Sequence, residues 1–585
     1  MHAGKLKWAP SGAFRLHGEL GKTLEKTIRN RLCRINYRHL VDPFRYRNEC
    51  DGAWRCEFWG KNVRGAILAW HLTQDPELGE LIHETVEDIL STQTSDGCIS
   101  SYPVEKQLES WDIWGRKYVL LGLLRYYDLV APDRRIPAAC SRMLDHLTEQ
   151  LQRASLRLCD CGFHDGMAAS SILGAVLGVY RITGEKRFLD LALDIVRSGC
   201  SAKTDIFADL RNGVPLKNIG TGKAYEMMSC FQGLAMLQQF IPDSEWLETD
   251  MAFFRTVRDR ELFITGTGGL KDNWGEYWYD GNAMQTEIDP EKSGALGETC
   301  VAATWLHFCN ELLLLTGDPL IPATLERTIY NAVLGGTDQN AARWMHRNPT
   351  PLAAPSPKLP SPDQIGKCFG TPFDGHDCCL AQGPESVALA CALTLLESAE
   401  NDAWYLNLYE PMESAFFRLE GTYPFGSGTM RLTFTADVSR PLYLRIPGNL
   451  LRVSKNGHPL PLRRNSWLYA GESFRNGDTL ELEFDLSVKW EKRGSLAAFT
   501  SGPLVLARDS RLDGDMEKGL DGDFSFRPAA SVSGFRTVFE NSSNRKLCDY
   551  ASAGDLFSED NTLRVWLSGS VKLDMKEYER NDGGK

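Results

Sequence analysis

The chain contains no run of 18 apolar residues, so no segment reads as a membrane span. It has no excess of positive charge. Its 65 Lys and Arg face 77 Asp and Glu, a net charge of −12, which leaves neither a nucleic-acid footprint nor a basic membrane patch. An acidic small substrate is still allowed, because it needs only local positive charge. The N-terminal stretch MHAGKLKWAPSGAFRLHGEL lacks the apolar core of a signal peptide. The 16 cysteines lack the spacing of a disulfide framework, which predicts reduced thiols and a cytoplasmic setting. A trimmed chain would lack a signal too, and without secretion the Asn541-Ser542-Ser543 sequon carries no meaning.

What is present is length and helical pattern. The 585 residues are enough for several domains, at roughly 100–200 residues each. Residues 25–400 read as helix after helix. Segments starting at Leu68, Val176 and Asn310 share one design: an apolar helix, a Thr-Gln or Thr-Gly stop, an acidic or Pro-containing restart, then an amphipathic helix. Thr183-Gly184-Glu185 reads as a glycine cap followed by a new first turn. A looser copy starts at Leu120. Irregularly spaced αα-hairpins over this length predict an α/α toroid, whose loops at one end surround a central pocket. After residue 400 short alternating runs appear, separated by turn signals such as Asn456-Gly457 and Asn476-Gly477-Asp478. The expected division is 1–400 for the helical catalytic domain with an N-terminal extension, 401–510 for an antiparallel β-sandwich, and 511–585 for a second small β region packed on it.

The most informative residues are Cys378 and Cys379, about 80 positions after Glu298-Thr299-Cys300. Three thiolates and a carboxylate make a complete tetrahedral set for Zn2+. A vicinal pair bridges to itself only with strain, so metal explains it better than a disulfide. Two plainer readings stay open: four ordinary buried residues, or a closed structural zinc site. Cys159, Cys161 and His164 form a second small group, more simply read as loop cysteines beside a histidine.

The order Gly275-Glu276-Tyr277-Trp278, then Gly297-Glu298-Thr299-Cys300, then Cys378-Cys379 resembles glycoside hydrolase family 127, the β-L-arabinofuranosidase-type enzymes. The stretch from Ile264 to Gly269 is similar to the family's Thr-Gly-Gly segment. The resemblance runs from about residue 50 to 500. It implies an (α/α)6 barrel followed by C-terminal antiparallel β-sandwiches, with Glu298, Cys300, Cys378 and Cys379 as zinc ligands. It further implies Cys378 as nucleophile and Glu276 as general acid/base of a retaining glycoside hydrolase. A zinc-held cysteine is a thiolate at neutral pH, which suits that role. The aromatic neighbourhood of Glu276, NWGEYWYDGN, suits a sugar-binding loop.

The departures concern the sugar pocket. Where the family places histidines, this chain reads Arg116, Ala169 and Lys223, and Leu380-Ala381-Gln382-Gly383 follows the cysteine pair. Arg116 and Lys223 could bind a carboxyl-bearing sugar, or pair with carboxylates such as Asp112 or Glu226. Trp59 and Trp114 are candidate pocket walls, and His346 is a candidate substrate contact. The expected substrate is a β-L-arabinofuranoside-like or acidic glycoside taken exo-fashion, with no nucleic acid, no membrane, and a homodimer left open. Two alternatives remain: a toroid-type sugar isomerase or lyase, and a non-catalytic carbohydrate-binding protein with structural zinc.

Overall fold

A computed structural model describes residues 5–49, 54–269, 276–279, 297–346, 348–349, 356–358, 377–493, 496–516, 520, 523–555 and 558–568. Within these, six helices form an inner ring: α1 (Phe58–Thr73), α2 (Asp112–Leu129), α3 (Leu173–Thr183), α4 (Ala224–Leu237), α5 (Thr299–Thr316) and α6 (Cys378–Ala392). Each packs on the next, and α6 closes on α1. Outside them lie Glu19–Asn30, Pro76–Ser91, Arg135–Ala154, Lys186–Arg197, Ser244–Thr256 and Leu320–Arg327. This is the expected (α/α)6 barrel.

The side chains explain the two rings. Along α5 every residue from Thr299 to Asn310 is buried, as an all-round contact requires. The outer helix Lys186–Arg197 instead buries Phe188, Ala192, Ile195 and Val196, a single stripe, and turns its charges outward. The hairpin stops are left-handed residues, as read from sequence. Gln74, Gly184 and Gly317 have φ of 54°, 70° and 66°. Their N–H groups donate to Trp70, Tyr180 and Leu313 carbonyls at 2.7–2.8 Å. Asp75 then caps the next helix by accepting from Leu78 N at 3.0 Å, with Pro76 in the first turn.

Among the described residues three sheets follow the barrel, and their make-up differs from the expected boundaries. Leu6–Trp8 pairs antiparallel with Leu395–Ser398, and Phe14–Leu16 with Met412–Ser414. Leu6–Trp8 and Phe14–Leu16 therefore belong to the sheets, because each supplies an edge strand there. The third sheet already includes Val488–Arg493, Leu496–Ser501 and Leu504–Asp509, which join Lys546–Asp549 and Val538–Glu540. Asn456 and Gly457, both at positive φ, form the hairpin turn between Lys455 and His458. Trp8 Nε1 donates to Asn310 Oδ1 at 2.9 Å, tying the N-terminal strand to α5. No described helix is long and apolar enough to cross a membrane.

Candidate active site

Two helix N-termini meet at one mouth of the barrel. Glu298 is the N-cap of α5, and Cys300 lies in its first turn. Asp377 caps α6 by accepting from Leu380 N at 2.8 Å, which puts Cys378 and Cys379 in the first turn there. The positive end of each helix favours thiolate over thiol. Gly297 must be glycine: its φ is 73°, and a Cβ would come within 2.6 Å of Thr267 Cγ2. Thr267 Oγ1 donates to the Glu298 carbonyl at 3.1 Å, so the Thr-Gly segment braces the turn that presents Glu298.

The four donors close on one point. Cys379 Sγ lies 3.4 Å from Cys300 Sγ and 3.8 Å from Cys378 Sγ. Glu298 Oε1 lies 3.6 Å from Cys378 Sγ and 3.5 Å from Cys379 Sγ. With metal–sulfur bonds of about 2.3 Å and metal–oxygen bonds of about 2.0 Å, a tetrahedron has S–S edges of about 3.8 Å and S–O edges of about 3.5 Å. The donors are thus spaced as such a site requires, and the cluster fits a metal ion.

Electrostatics point the same way. Burial, then the nearby Glu276 and Cys378, push the Glu298 carboxyl well above its usual range. Burial raises the Cys379 thiol as well, and the bond from Cys300 raises Cys378. Cys300 goes down: burial opposes ionisation, but bonds from the other two thiols and the field of Lys61 prevail. So many acids cannot ionise together without a cation, and a divalent ion removes that penalty.

Glu276 and His346 flank the cluster. The Glu276 carbonyl accepts from Ala224 N at 2.9 Å, and Trp278 N donates to Gly222 O at 2.9 Å. This short antiparallel contact sets the Glu276 carboxylate against the Lys223 ammonium. Burial opposes its charge, but Lys223 and His346 prevail and hold it down at about 2. His346 Nε2 stands 3.7 Å from Glu276 Oε1 and 3.6 Å from Glu298 Oε1, and its Nδ1 stands 3.7 Å from Cys379 Sγ. Gly275 and residues 370–376 lie outside the described residues.

An aromatic wall continues inward. Trp114, Tyr118 and Tyr225 pack with Cys300 and Cys379. The two tyrosine hydroxyls bond to each other, and Tyr225 donates to Gln382 Oε1 at 2.6 Å. Gly383 makes room for Trp344, whose Cδ1 would sit 2.2 Å from an added Cβ. The residues after the cysteine pair therefore support this wall. Lys61, 2.9 Å from Glu57, and Lys117, 4.0 Å from the Trp114 ring centre, complete it. Burial lowers the Lys117 ammonium to about 7.

The structure brings Glu276, Glu298, Cys300, His346, Cys378, Cys379, Lys223 and Trp114 together. It does not bring Trp59 or Arg116. Trp59 is fully buried and donates through Nε1 to Thr85 Oγ1 at 2.9 Å, between α1 and the outer ring. Arg116 Nη2 pairs with Asp112 Oδ2 at 2.8 Å, and its Nη1 donates to Gln150 Oε1 at 2.8 Å. Each is two positions from a residue that does face the site, Lys61 and Trp114. Two helical steps are about 200°, the opposite face. Lys223 is present but engaged by Glu276. Cys159 and Cys161 join no metal-capable group among the described residues, and His164 sits 3.9 Å from Glu226 instead. The sequence reading missed Lys61, Lys117, Tyr118, Tyr225 and Gln382. The helical offsets Trp114 to Tyr118 and Cys378 to Gln382, each four residues, were the available signal.

Comparison with known proteins now fixes the class. The profile of the family described as beta-L-arabinofuranosidase, GH127 catalytic domain, matches residues 24–390. A non-reducing end beta-L-arabinofuranosidase from Bifidobacterium longum subsp. longum is 22% identical over 489 residues, covering 75% of this chain and 72% of its own. The crystal structure of a GH127 beta-L-arabinofuranosidase from Geobacillus stearothermophilus T6 superposes with a TM-score of 0.73 at 17% identity, covering 95% of this chain and 99% of that one. A further GH127 beta-arabinofuranosidase structure also gives 0.73, at 16% identity, covering 97% and 98%. The fold is that of an α/α-barrel glycoside hydrolase. The chain belongs to family GH127.

Proposed function

We propose that the protein is a retaining, exo-acting glycosidase with Cys378 as nucleophile and Glu276 as acid/base, and that Glu298, Cys300, Cys378 and Cys379 hold Zn2+. The spacing of the four donors, 3.4–3.8 Å where tetrahedral edges demand it, carries this reading. When bound, the metal keeps the cysteine sulfurs deprotonated at neutral pH.

The residues then divide the work. The Cys378 sulfur attacks the anomeric carbon as the bond from that carbon to the leaving oxygen breaks. Glu276 gives its proton to that oxygen. Water next attacks the same carbon, Glu276 takes a proton from it, and the Cys378 sulfur departs with its electron pair. Two displacements restore the starting configuration. Lys223 holds Glu276 ionised in the geometry seen. A bound glycoside must therefore draw the carboxylate out of that pair, and the carboxylate must take up a proton from solvent, before it can act as an acid. His346, between Glu276 and the cluster, orients both carboxylates.

The glycone we infer is neutral. Lys61 is paired with Glu57 and Lys223 with Glu276, while burial lowers Lys117 to about 7, so that it carries only part of a charge at neutral pH. Two matched cations and one partly discharged leave little to attract a substrate carboxylate. A β-L-arabinofuranoside, the sugar in the names of the relatives, fits better than a uronic acid. An isomerase, a lyase or a binding protein would need no sugar–sulfur bond. The test is to incubate Glu276→Gln with an aryl β-L-arabinofuranoside, quench in acid, and weigh the peptide that carries Cys378. Loss of the base should let the sugar adduct accumulate there. Repeated turnover with no adduct on Cys378 would sink the nucleophile assignment.

A further inference from the structure

Beyond the cysteine cluster the mouth carries an aromatic ledge. The Trp111 ring centre lies 5.6 Å from Trp114, 5.2 Å from Phe163 and 5.5 Å from His164. His164 lies 6.2 Å from Tyr277, the residue directly after Glu276. The Lys223 ammonium stands 5.1 Å from the Tyr277 ring. The ledge therefore begins at the inner wall and ends beside the segment that bears the acid.

Its exposure and backbone are unusual. Phe163 is 40% exposed, one of few large apolar side chains so open among the described residues, while Trp111 and Tyr277 are half-buried. The two loops that carry the ledge hold Leu108, Ser110, His164 and Asp165 at φ between 51° and 69°, none of them glycine. Gly162 N and Phe163 N donate to the Leu108 and Ser110 carbonyls at 3.2 Å, locking the loops together. Left-handed non-glycine residues cost energy, and such cost gathers where a surface must keep a set shape. A loop that needed only to hide Phe163 would not leave it open.

We propose that Trp111, Phe163, His164 and Tyr277 form the subsite for the leaving group, and that its occupant is a second sugar ring of a neutral oligosaccharide. This rests on the glycosidase reading above. The bridging oxygen of a bound substrate must lie beside Glu276, so the ring beyond it lies past Tyr277. The apolar C–H face of a sugar stacks on an aromatic face, and the His164 imidazole at the ledge supplies a hydrogen bond to a hydroxyl at its edge.

Two substrates with one glycone test it: a β-L-arabinofuranosyl disaccharide and the matching glycosyl fluoride, whose leaving group has no ring to stack. Losing one stacked ring in Phe163→Ala should lower the disaccharide-to-fluoride ratio of kcat/KM by about five- to tenfold. Phe163→Tyr, which keeps the face, should restore it. An unchanged ratio in Phe163→Ala overturns the proposal, whether both rates fall together or neither moves. If the wild type turns over neither substrate, the glycosidase reading has failed on its own terms. The ledge is then read by titrating the disaccharide against tryptophan fluorescence. Binding weakened in Phe163→Ala and restored in Phe163→Tyr supports it, and no binding, or equal binding in all three proteins, overturns it.

Discussion

Two polar layers cross the barrel, one below the other, on the same three helices. The upper layer holds Lys61, Glu298, Cys300, Cys378 and Cys379. The lower holds Arg64, His307 and Glu385, three or seven residues further along α1, α5 and α6. Both are buried, yet they resolve their charge differently. In the lower layer Arg64 Nη2 meets Glu385 Oε1 at 3.0 Å, and His307 Nε2 meets it at 3.3 Å. Burial would raise the Glu385 carboxyl, but Arg64 and His307 overcome it and hold it at about 2. In the upper layer Glu298 and Cys379 are pushed up by burial, with neighbouring acids adding to the effect. The lysine that reaches Cys300, Lys61, is already paired with Glu57. Buried charge whose counterion lies inside the fold is structure. Buried acids without enough cations mark a place built for one from outside.

The sharpest way to break this contrast is to remove a donor from the upper layer. Cys379→Ser should lose most of its zinc, from about one ion per chain toward none, as elemental analysis would show. Its kcat/KM on an arabinofuranoside should fall by at least about a hundredfold, since even residues behind the ligands cost 10–100-fold in such sites. Chelation of the wild type should lower its Tm, and added Zn2+ should restore it. Full zinc content and full activity in Cys379→Ser would reduce the upper layer to an ordinary nest of thiols.

Much of this was legible in the sequence because of its periodicity. The Thr-Gly and Thr-Gln stops after each apolar helix sit where the chain turns left-handed, so hairpins could be read directly. The donors Glu298, Cys300, Cys378 and Cys379 were legible because the members of each pair lie within two positions in sequence and their chemistry is narrow. What failed was the facing of helices. Trp59 was read as a pocket residue from its neighbours in sequence and Arg116 from its place against the family's histidines, but in each case the helix turns the side chain away. Lys61 and Tyr118, on the correct faces, were passed over, since a lysine or tyrosine in a helix carries no motif. The two N-terminal edge strands escaped the reading for another reason. Leu6–Trp8 and Phe14–Leu16 are three-residue strands completed by partners some 390 residues away, and no local pattern announces such a pairing.

The lower layer offers the next test. Glu385→Gln should cost about 3 kcal/mol of stability at pH 7, the value of a carboxyl held at about 2 instead of its usual 4.3. The folded pKa is depressed, so this stability is fully present above about pH 4.3 and is lost as pH falls through about 2. Chemical denaturation at pH 7 and at pH 3 should show the gap between wild type and variant narrowing. Zinc content should stay near that of the wild type. A variant that loses zinc along with stability would show that the two layers act as one.

The smallest effect tests the rule outside the barrel axis. Glu410 is 1% exposed at the seam between barrel and sheets, where Tyr330 donates its hydroxyl to Glu410 Oε1 at 3.1 Å. Burial raises this carboxyl to about 8. The Tyr330 bond offsets part of the rise, and the nearby Glu19 adds to it. The folded pKa is raised, so the neutral acid is the form the fold prefers. No stability is lost below about pH 4.3, and the loss grows as pH climbs from there toward 8. Glutamine copies the neutral form. Glu410→Gln should therefore match the wild type at pH 4 and exceed it by about 2 kcal/mol at pH 6, read from denaturant midpoints at the two pH values. Equal stability of the two proteins at pH 6 would mean that Glu410 carries a matched charge as Glu385 does. Burial would then be a poor guide to which acids lack a counterion, and the cysteine cluster would be singled out by its four converging donors alone.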